Sequence, residues 1–206
     1  MIKIEKKTKL EDIKNVAQLH KLYISSGFIS SLGNKFLVTL YDYISKSDNS
    51  FCIVAKYNEN IIGFISGTQS ISELYKGFFK EKFLEASFTL FPQIFKPKNF
   101  FKLIETILYP KKKSIIPSVP DAELLSIVVD KNFQGKGISS LLFNTLVEEF
   151  KKRKIYSFKI VVGSNLTKAI RFYEKMGCKK IAEIEIHKGE KSYIYVYNIK
   201  SEVKNE

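Results

Sequence analysis

The sequence predicts a mixed α/β fold, a sheet flanked by helices. Three observations point to it. Two pairs of apolar runs joined by short polar turns, at 51–69 and 181–199, read as hairpins. An apolar run at 124–129 breaks into a glycine-containing turn and then a helical pattern. A second strand-to-helix unit follows at 157–176. Strands and helices in this order lay helices against a sheet.

The elements follow in chain order. Ile2 to Glu5 reads as a first strand. Leu10 to Tyr23 has helical spacing through Leu10, Ile13, Val16, Ala17, Leu19 and Leu22, and places His20 on that helix. A Ser- and Gly-rich link at 24–33 leads to a second helix from about Leu32 to Ser45. Phe51–Tyr57 and Ile61–Gln69 form a hairpin around Asn58-Glu59-Asn60, and Gly63 and Gly67 mark a bulge or the close approach of another group. Residues 71–119 carry aromatics interleaved with lysines and predict two or three helices, broken at Pro92, Pro97 and Pro110. After the strand at 124–129 and its helix come a strand at 157–162, a helix at 166–176 and a terminal hairpin.

Composition bounds the function. The chain has 206 residues, 45% of them apolar, with 17 Phe, enough for one full core. No window of about 18 apolar residues predicts a membrane span, and the start lacks signal-peptide form, so a cytoplasmic location is expected. Two cysteines imply no disulfide framework, and Cys52 reads as a buried free thiol. Two histidines, His20 and His187, are too sparse for a zinc site, and no metal is expected. The net charge of +13 comes from scattered lysines, with runs only at 111–113 and 151–154. That pattern reads as a solvated surface and predicts no nucleic-acid partner, though it would attract an anionic ligand.

Gln134-Gly135-Lys136-Gly137-Ile138-Ser139 is the segment richest in chemistry. A strand, a glycine turn and a helix start together present unpaired N–H groups and a positive dipole end to a phosphate. The spacing fits neither the triphosphate loop nor the three-glycine dinucleotide fingerprint, since Ser140 stands at the third glycine. Taken alone the turn is either a phosphate loop or an ordinary tight connection.

A second block separates these readings. Asn132-Phe133-Gln134-Gly135-Lys136-Gly137 is followed by Asn165, one position early, and by Ala169, Phe172, Tyr173 and Gly177 in register. Together they resemble the GNAT N-acetyltransferase superfamily, whose loop reads Q/R-x-x-G-x-G/A and whose later block reads N-x-x-A-x-x-F-Y-x-x-x-G-F. Asn132 replaces Gln or Arg, and Cys178 replaces the final aromatic. The resemblance implies a mixed, mostly antiparallel twisted sheet flanked by helices. It implies one acetyltransferase domain over 1–200, with 71–119 as a helical insertion before the cofactor-binding strand.

The resemblance also implies site residues. Acetyl-CoA would be held by the backbone of Ile127, Val128 and Val129, by Gln134, Gly135, Lys136, Gly137, Ile138 and Ser139, and by Asn165, Ala169 and Phe172. Asn165 is in addition the expected N-cap of its helix. Tyr173 stands where the family's general acid stands; otherwise it is a core or surface tyrosine. Glu123, opening the strand, is a base for the amine, a solvated strand-end glutamate, or the partner of a nearby lysine. Ser126 reads as a small satisfied hydroxyl. Phe28 and Ile29 border the acceptor cleft, or else anchor the loop.

The implied reaction is direct transfer of acetyl to a primary amine, with a small amine or an amino sugar favoured. The alternatives are a non-catalytic acyl-CoA-binding module and a peptide N-acetyltransferase. The insertion reads as core, as a lid over the acceptor, as a homodimer contact, or as a surface resting on membrane.

Overall fold

The computed structural model describes residues 1–6, 8–25, 28–94, 119–187 and 189–200; for Phe28, residues 83–94, Ile186 and His187 it describes the backbone alone. The elements are β1 (Ile2–Glu5), α1 (Leu10–Tyr23), α2 (Phe28–Ser31), α3 (Asn34–Lys46), β2 (Ser50–Tyr57), β3 (Asn60–Thr68) and α4 (Ile71–Ile94). They continue with β4 (Glu123–Val129), a 3-10 turn (Lys131–Phe133), α5 (Ile138–Lys152), β5 (Ser157–Gly163), α6 (Thr167–Lys175), β6 (Lys179–His187) and β7 (Glu190–Asn198). The seven strands form one sheet in the order β1-β2-β3-β4-β5-β7-β6. Every neighbouring pair is antiparallel except β4 with β5. This is the mixed, mostly antiparallel sheet that the sequence implied.

The two faces of the sheet carry separate cores. One gathers Leu142, Phe143, Leu146 and Phe150 of α5 and Tyr173 of α6 against Ile53, Ile65, Leu124 and Ile160. The other gathers Ile13, Val16 and Ala17 of α1, Phe36, Leu37 and Tyr41 of α3, and Leu74 and Phe78 of α4 against Val54, Phe64 and Val128. The helical spacing of apolar residues therefore buries one stripe of each helix.

Local chemistry explains the joints. Asn58 and Glu59 both take positive φ (47° and 62°), so the first hairpin closes on two residues and Asn60 already belongs to β3. A Cβ on Gly63 would stand 2.8 Å from the Val128 carbonyl oxygen, and one on Gly67 the same distance from the Phe51 ring. Close approach and bulging both occur, because the register also shifts between Ser66 and Gly67. Lys56 is buried and ion-paired at 2.9 Å with both Glu5 and Asp12, joining β1, β2 and α1.

The structure departs from the sequence reading in places. A single turn, α2, sits in the Ser/Gly link. α4 breaks at Lys82 (φ −112°, ψ 17°) and continues through Pro92, which lies in its last turn. Proline removes one backbone donor, a loss felt less near a helix end than in its middle. Pro97 and Pro110, and the aromatics beyond residue 94, lie outside the described residues. Ile71, Leu74 and Phe78 are buried, and Gly77 meets α3 so closely that a Cβ would collide with the Tyr43 hydroxyl. The start of the segment is thus packed core.

Candidate active site

The site begins where two strands part. β4 pairs with β3 from Thr68↔Glu123 to Gly63↔Val129. With β5 it pairs only at Glu123↔Lys159 and Leu124↔Ile160, supported by the Lys159 N–H donating to the Ala122 carbonyl at 2.9 Å. Beyond Leu124 the strands diverge, and the β5-facing edge of Ile127–Val129 has no ladder partner among the described residues. The bulge opposite Ser66 and Gly67 sets the faces of β4. Leu124, Ile127 and Val129 turn to the α5 core; Leu125 and Val128 turn to α1, α3 and α4.

β4 runs into the glycine loop. Asp130 fixes the start: its Oδ1 accepts from the Asn132 N–H at 2.9 Å, and its Oδ2 accepts from the Tyr23 hydroxyl at 3.1 Å. The same hydroxyl accepts from the Lys131 N–H at 3.0 Å, so α1 holds the loop. Gln134 turns back, its amide donating to the Val129 carbonyl at 3.0 Å. Gly135 and Gly137 both take φ of +78°, a conformation that costs any other L-residue energy. A Cβ at either would stand in open space.

α5 starts at Gly137 with no side-chain cap. The N–H groups of its first turn therefore have no partner within the helix, and the dipole end is uncovered. Ile138 is buried, leaving only its backbone for binding. Ser139 is half-buried, and the exposed Lys136 places its ammonium 5.0 Å from the Phe133 ring centroid.

α6 supplies the second block. Its N-cap is Leu166 rather than Asn165. The Asn165 Oδ1 instead stands 3.0 Å from where a Gly163 Cβ would be, so its side chain lies over the strand end and does not cap the helix. At the other end Gly177 (φ +88°) closes a Schellman motif. The Cys178 N–H donates to the Tyr173 carbonyl and the Gly177 N–H to the Glu174 carbonyl, each at 3.0 Å. Ala169 and Phe172 pack on the α5-side core, with Phe172 edge-on to Phe143. Tyr173 is buried; burial first, and then Cys178, holds its phenol above the ordinary tyrosine range, in the protonated form.

On the opposite face, at the closed end of the parting, lies an ion pair whose lysine the sequence did not identify. Lys159, with no exposed side-chain surface, stands 2.9 Å from Glu123 Oε2. It donates to the Pro120 and Asp121 carbonyls at 3.2 and 3.0 Å. Glu123 is thus buried and the partner of a lysine, not a solvated strand-end carboxylate. Tyr75 of α4 joins them: burial first, and then the Glu123 charge, raises its pKa. Half-buried Ile29 packs on the α1/α3 core, and the Phe28 side chain lies outside the description. The only sequence signal for Lys159 is a lysine within the apolar run Phe158-Lys-Ile.

The Acetyltransferase (GNAT) family profile matches residues 16–178, most of the chain. The chain belongs to the GNAT acetyltransferase family. The family is one of acyltransferases. An uncharacterised N-acetyltransferase of Methanocaldococcus jannaschii is 38% identical over 68 residues, a match covering 33% of this chain and 29% of that relative. Solved structures share the fold at low identity. The ribosomal-protein-S18-alanine N-acetyltransferase of Escherichia coli superposes at a TM-score of 0.61 with 14% identity, covering 100% of this chain and 99% of that one. Ard1 of Thermoplasma volcanium gives 0.61 at 15% identity, covering 97% and 99%.

GNAT proteins use acetyl-CoA, and this chain's residues fit such a ligand. The uncapped helix start behind two left-handed glycines suits a pyrophosphate. The open edge of β4 suits an amide-bearing arm added as a strand. Among the described residues no helix is long and apolar enough to cross a membrane, and no group of three or more His, Cys, Asp or Glu could hold a metal ion.

Proposed function

We propose that this chain transfers an acetyl group from acetyl-CoA to a primary amine by direct attack. The observation that carries the reading is the parting of β4 from β5 in line with the uncapped glycine start of α5. When bound, acetyl-CoA supplies an acyl group activated as a thioester. The backbones of Ile127–Val129 and of the 134–139 loop hold it, and Asn165, at the mouth between β5 and α6, borders it. Gln134 acts through the Val129 carbonyl, while Ala169 and Phe172 seat the helix that carries Tyr173.

Protons are handled on opposite faces of the sheet. Tyr173, on the α5/α6 side, donates to the departing thiolate. Glu123, on the acceptor side and held by Lys159, receives the proton that the amine must lose. An unperturbed alkyl ammonium costs about 4–5 kcal/mol to neutralise at pH 7, so a nearby acceptor has a large effect to supply. Neither cysteine is suited to carry a covalent acyl group: burial pushes the Cys52 and Cys178 thiols up to about 12, so both stay protonated. That supports direct attack over a two-step route.

The acceptor is a small amine or an amino sugar, entering past α2 and Ile29 on the α1/α4 side. The test is acetyl-CoA consumption with glucosamine, spermidine, lysine and an alanine-terminated peptide. Turnover of a small amine supports the reading, and turnover of the peptide alone would move the acceptor class. Calorimetric binding of acetyl-CoA with no turnover of any of the four would mark a binding module instead.

A further inference from the structure

The glycine loop is tied to the rest of the fold by a side chain that has no role in the reaction described so far. Tyr23 is the last residue of α1, a helix seated on the sheet through Ile13, Val16 and Ala17. The half-buried Tyr23 ring packs on the same core. Its hydroxyl donates to Asp130 Oδ2 at 3.1 Å and accepts from the Lys131 N–H at 3.0 Å. Asp130 uses its other carboxylate oxygen to accept from the Asn132 N–H at 2.9 Å, as the N-cap of the 3-10 turn. One phenol therefore acts on both the carboxylate that shapes the turn and the backbone that enters it.

Among the described residues, every other hydrogen bond made by 131–137 stays within 129–141. The Phe133 and Gln134 N–H groups donate to the Asp130 and Lys131 carbonyls, the Gln134 amide donates to Val129, and the Gly137 carbonyl accepts from Leu141. These bonds shape the turn without tying it to another layer of the fold. Phe133 leans on the Tyr57 ring at 5.5 Å between centroids, an apolar contact that sets no direction for an N–H. Gly135 and Gly137 are exposed and could take other backbone states at little cost. A phosphate site made of N–H groups works only while they are aimed together. Affinity falls in proportion to the fraction of time the loop holds that shape.

We propose that Tyr23 is a positioning residue for acetyl-CoA: through Asp130 and the Lys131 N–H, its hydroxyl holds the pyrophosphate loop in its binding shape before the ligand arrives. The inference rests on reading that loop as the acetyl-CoA site. It adds to the site a residue of α1, which packs on the opposite face of the sheet from α5.

Calorimetric titration with acetyl-CoA tests it and needs no acceptor. Tyr23→Phe keeps the ring and removes both bonds, so the Kd for acetyl-CoA should rise roughly tenfold, the worth of one hydrogen bond. Asp130→Asn still offers an oxygen to the Asn132 N–H but none to the phenol proton, and should raise Kd as well. The two changes break one contact, so the double variant should be no worse than the larger single. Tyr195→Phe is the control: it removes a phenol's bond to Glu174, 2.9 Å long and on another strand, and should leave Kd alone. In initial-rate kinetics with whichever of the four amines is turned over fastest, Tyr23→Phe should raise the KM for acetyl-CoA and leave kcat and the amine KM unchanged. An unchanged Kd in Tyr23→Phe, even with a lower melting temperature, would overturn the inference. So would additive effects, or an equal rise in Tyr195→Phe, since either marks a general loosening. If the wild type binds acetyl-CoA but acetylates none of the amines, the transferase reading fails while the titrations still decide the role of Tyr23. A wild type that binds no acetyl-CoA overturns both.

Discussion

Lys159 has no exposed surface; its ammonium donates to two backbone carbonyls and is ion-paired with Glu123. Removing one member of a buried pair leaves an uncompensated charge, so Lys159→Met should lower unfolding stability by about 3–5 kcal/mol. Lys159→Met combined with Glu123→Leu should lose less than Lys159→Met alone in urea titrations; a fully additive double variant would contradict the pairing. At Tyr173, Phe retains the packing and removes the proton. General acid catalysis is worth about a hundredfold or more, so kcat should fall by that order while the KM for acetyl-CoA changes little. Because the folded phenol titrates above the ordinary range, wild-type turnover should show no loss from Tyr173 ionisation up to pH 9. His20 makes a different prediction. Its folded value, near 4, lies below the unfolded 6.5, so the unfolded chain takes up the proton first as pH falls. Stability should therefore decline between pH 6.5 and 4, by at most about 3 kcal/mol, and His20→Gln should flatten that stretch of the melting curve against pH. Asp12 is a separate case: burial raises its pKa but the Lys9 N–H and Lys56 outweigh it, so its loss falls below the ordinary carboxylate range.

Among the elements, the ones written in short-range chemistry were legible in the sequence. The Asn58-Glu59 turn, the glycine loop and the Gly177 helix end each depend on residues within a few positions, because positive φ and capping are local requirements. The site was less so. Glu123 meets Lys159, and Ser126 comes opposite Ser66, only once strands far apart in sequence have taken a register that the β3–β4 bulge helps to set. Asn165 shows how fine the limit is: its spacing suggested a cap, yet the helix starts one residue later, and its side chain lies by Gly163. The glycine loop gives the sharpest test at this scale. Gly137→Ala forces an L-residue to φ +78° at a cost of roughly 1 kcal/mol or more, and perturbs the start of α5. Acetyl-CoA affinity by calorimetry should fall well beyond what the loss of melting temperature explains. Equal affinity would remove the loop from pyrophosphate binding.

Over the whole molecule, order in the sheet departs from order in the chain. β7 lies between β5 and β6, so the terminal hairpin folds back to put its last strand against β5, with Ile160 opposite Tyr195. β1 to β4 form one antiparallel plate and β5, β7 and β6 a second. The plates share the short seam at Glu123–Leu124 and Lys159–Ile160. Only these two residue pairs join the plates through the backbone ladder, while α5 packs across both. An arm laid along β4 would act as a splint, extending the join along the sheet. Saturating acetyl-CoA at about a hundred times its dissociation constant should then add about 2.7 kcal/mol of stability. Amide exchange should slow on both plates together, far from any atom that touches the ligand, and a slowing confined to residues 127–139 would mean that the plates were already locked.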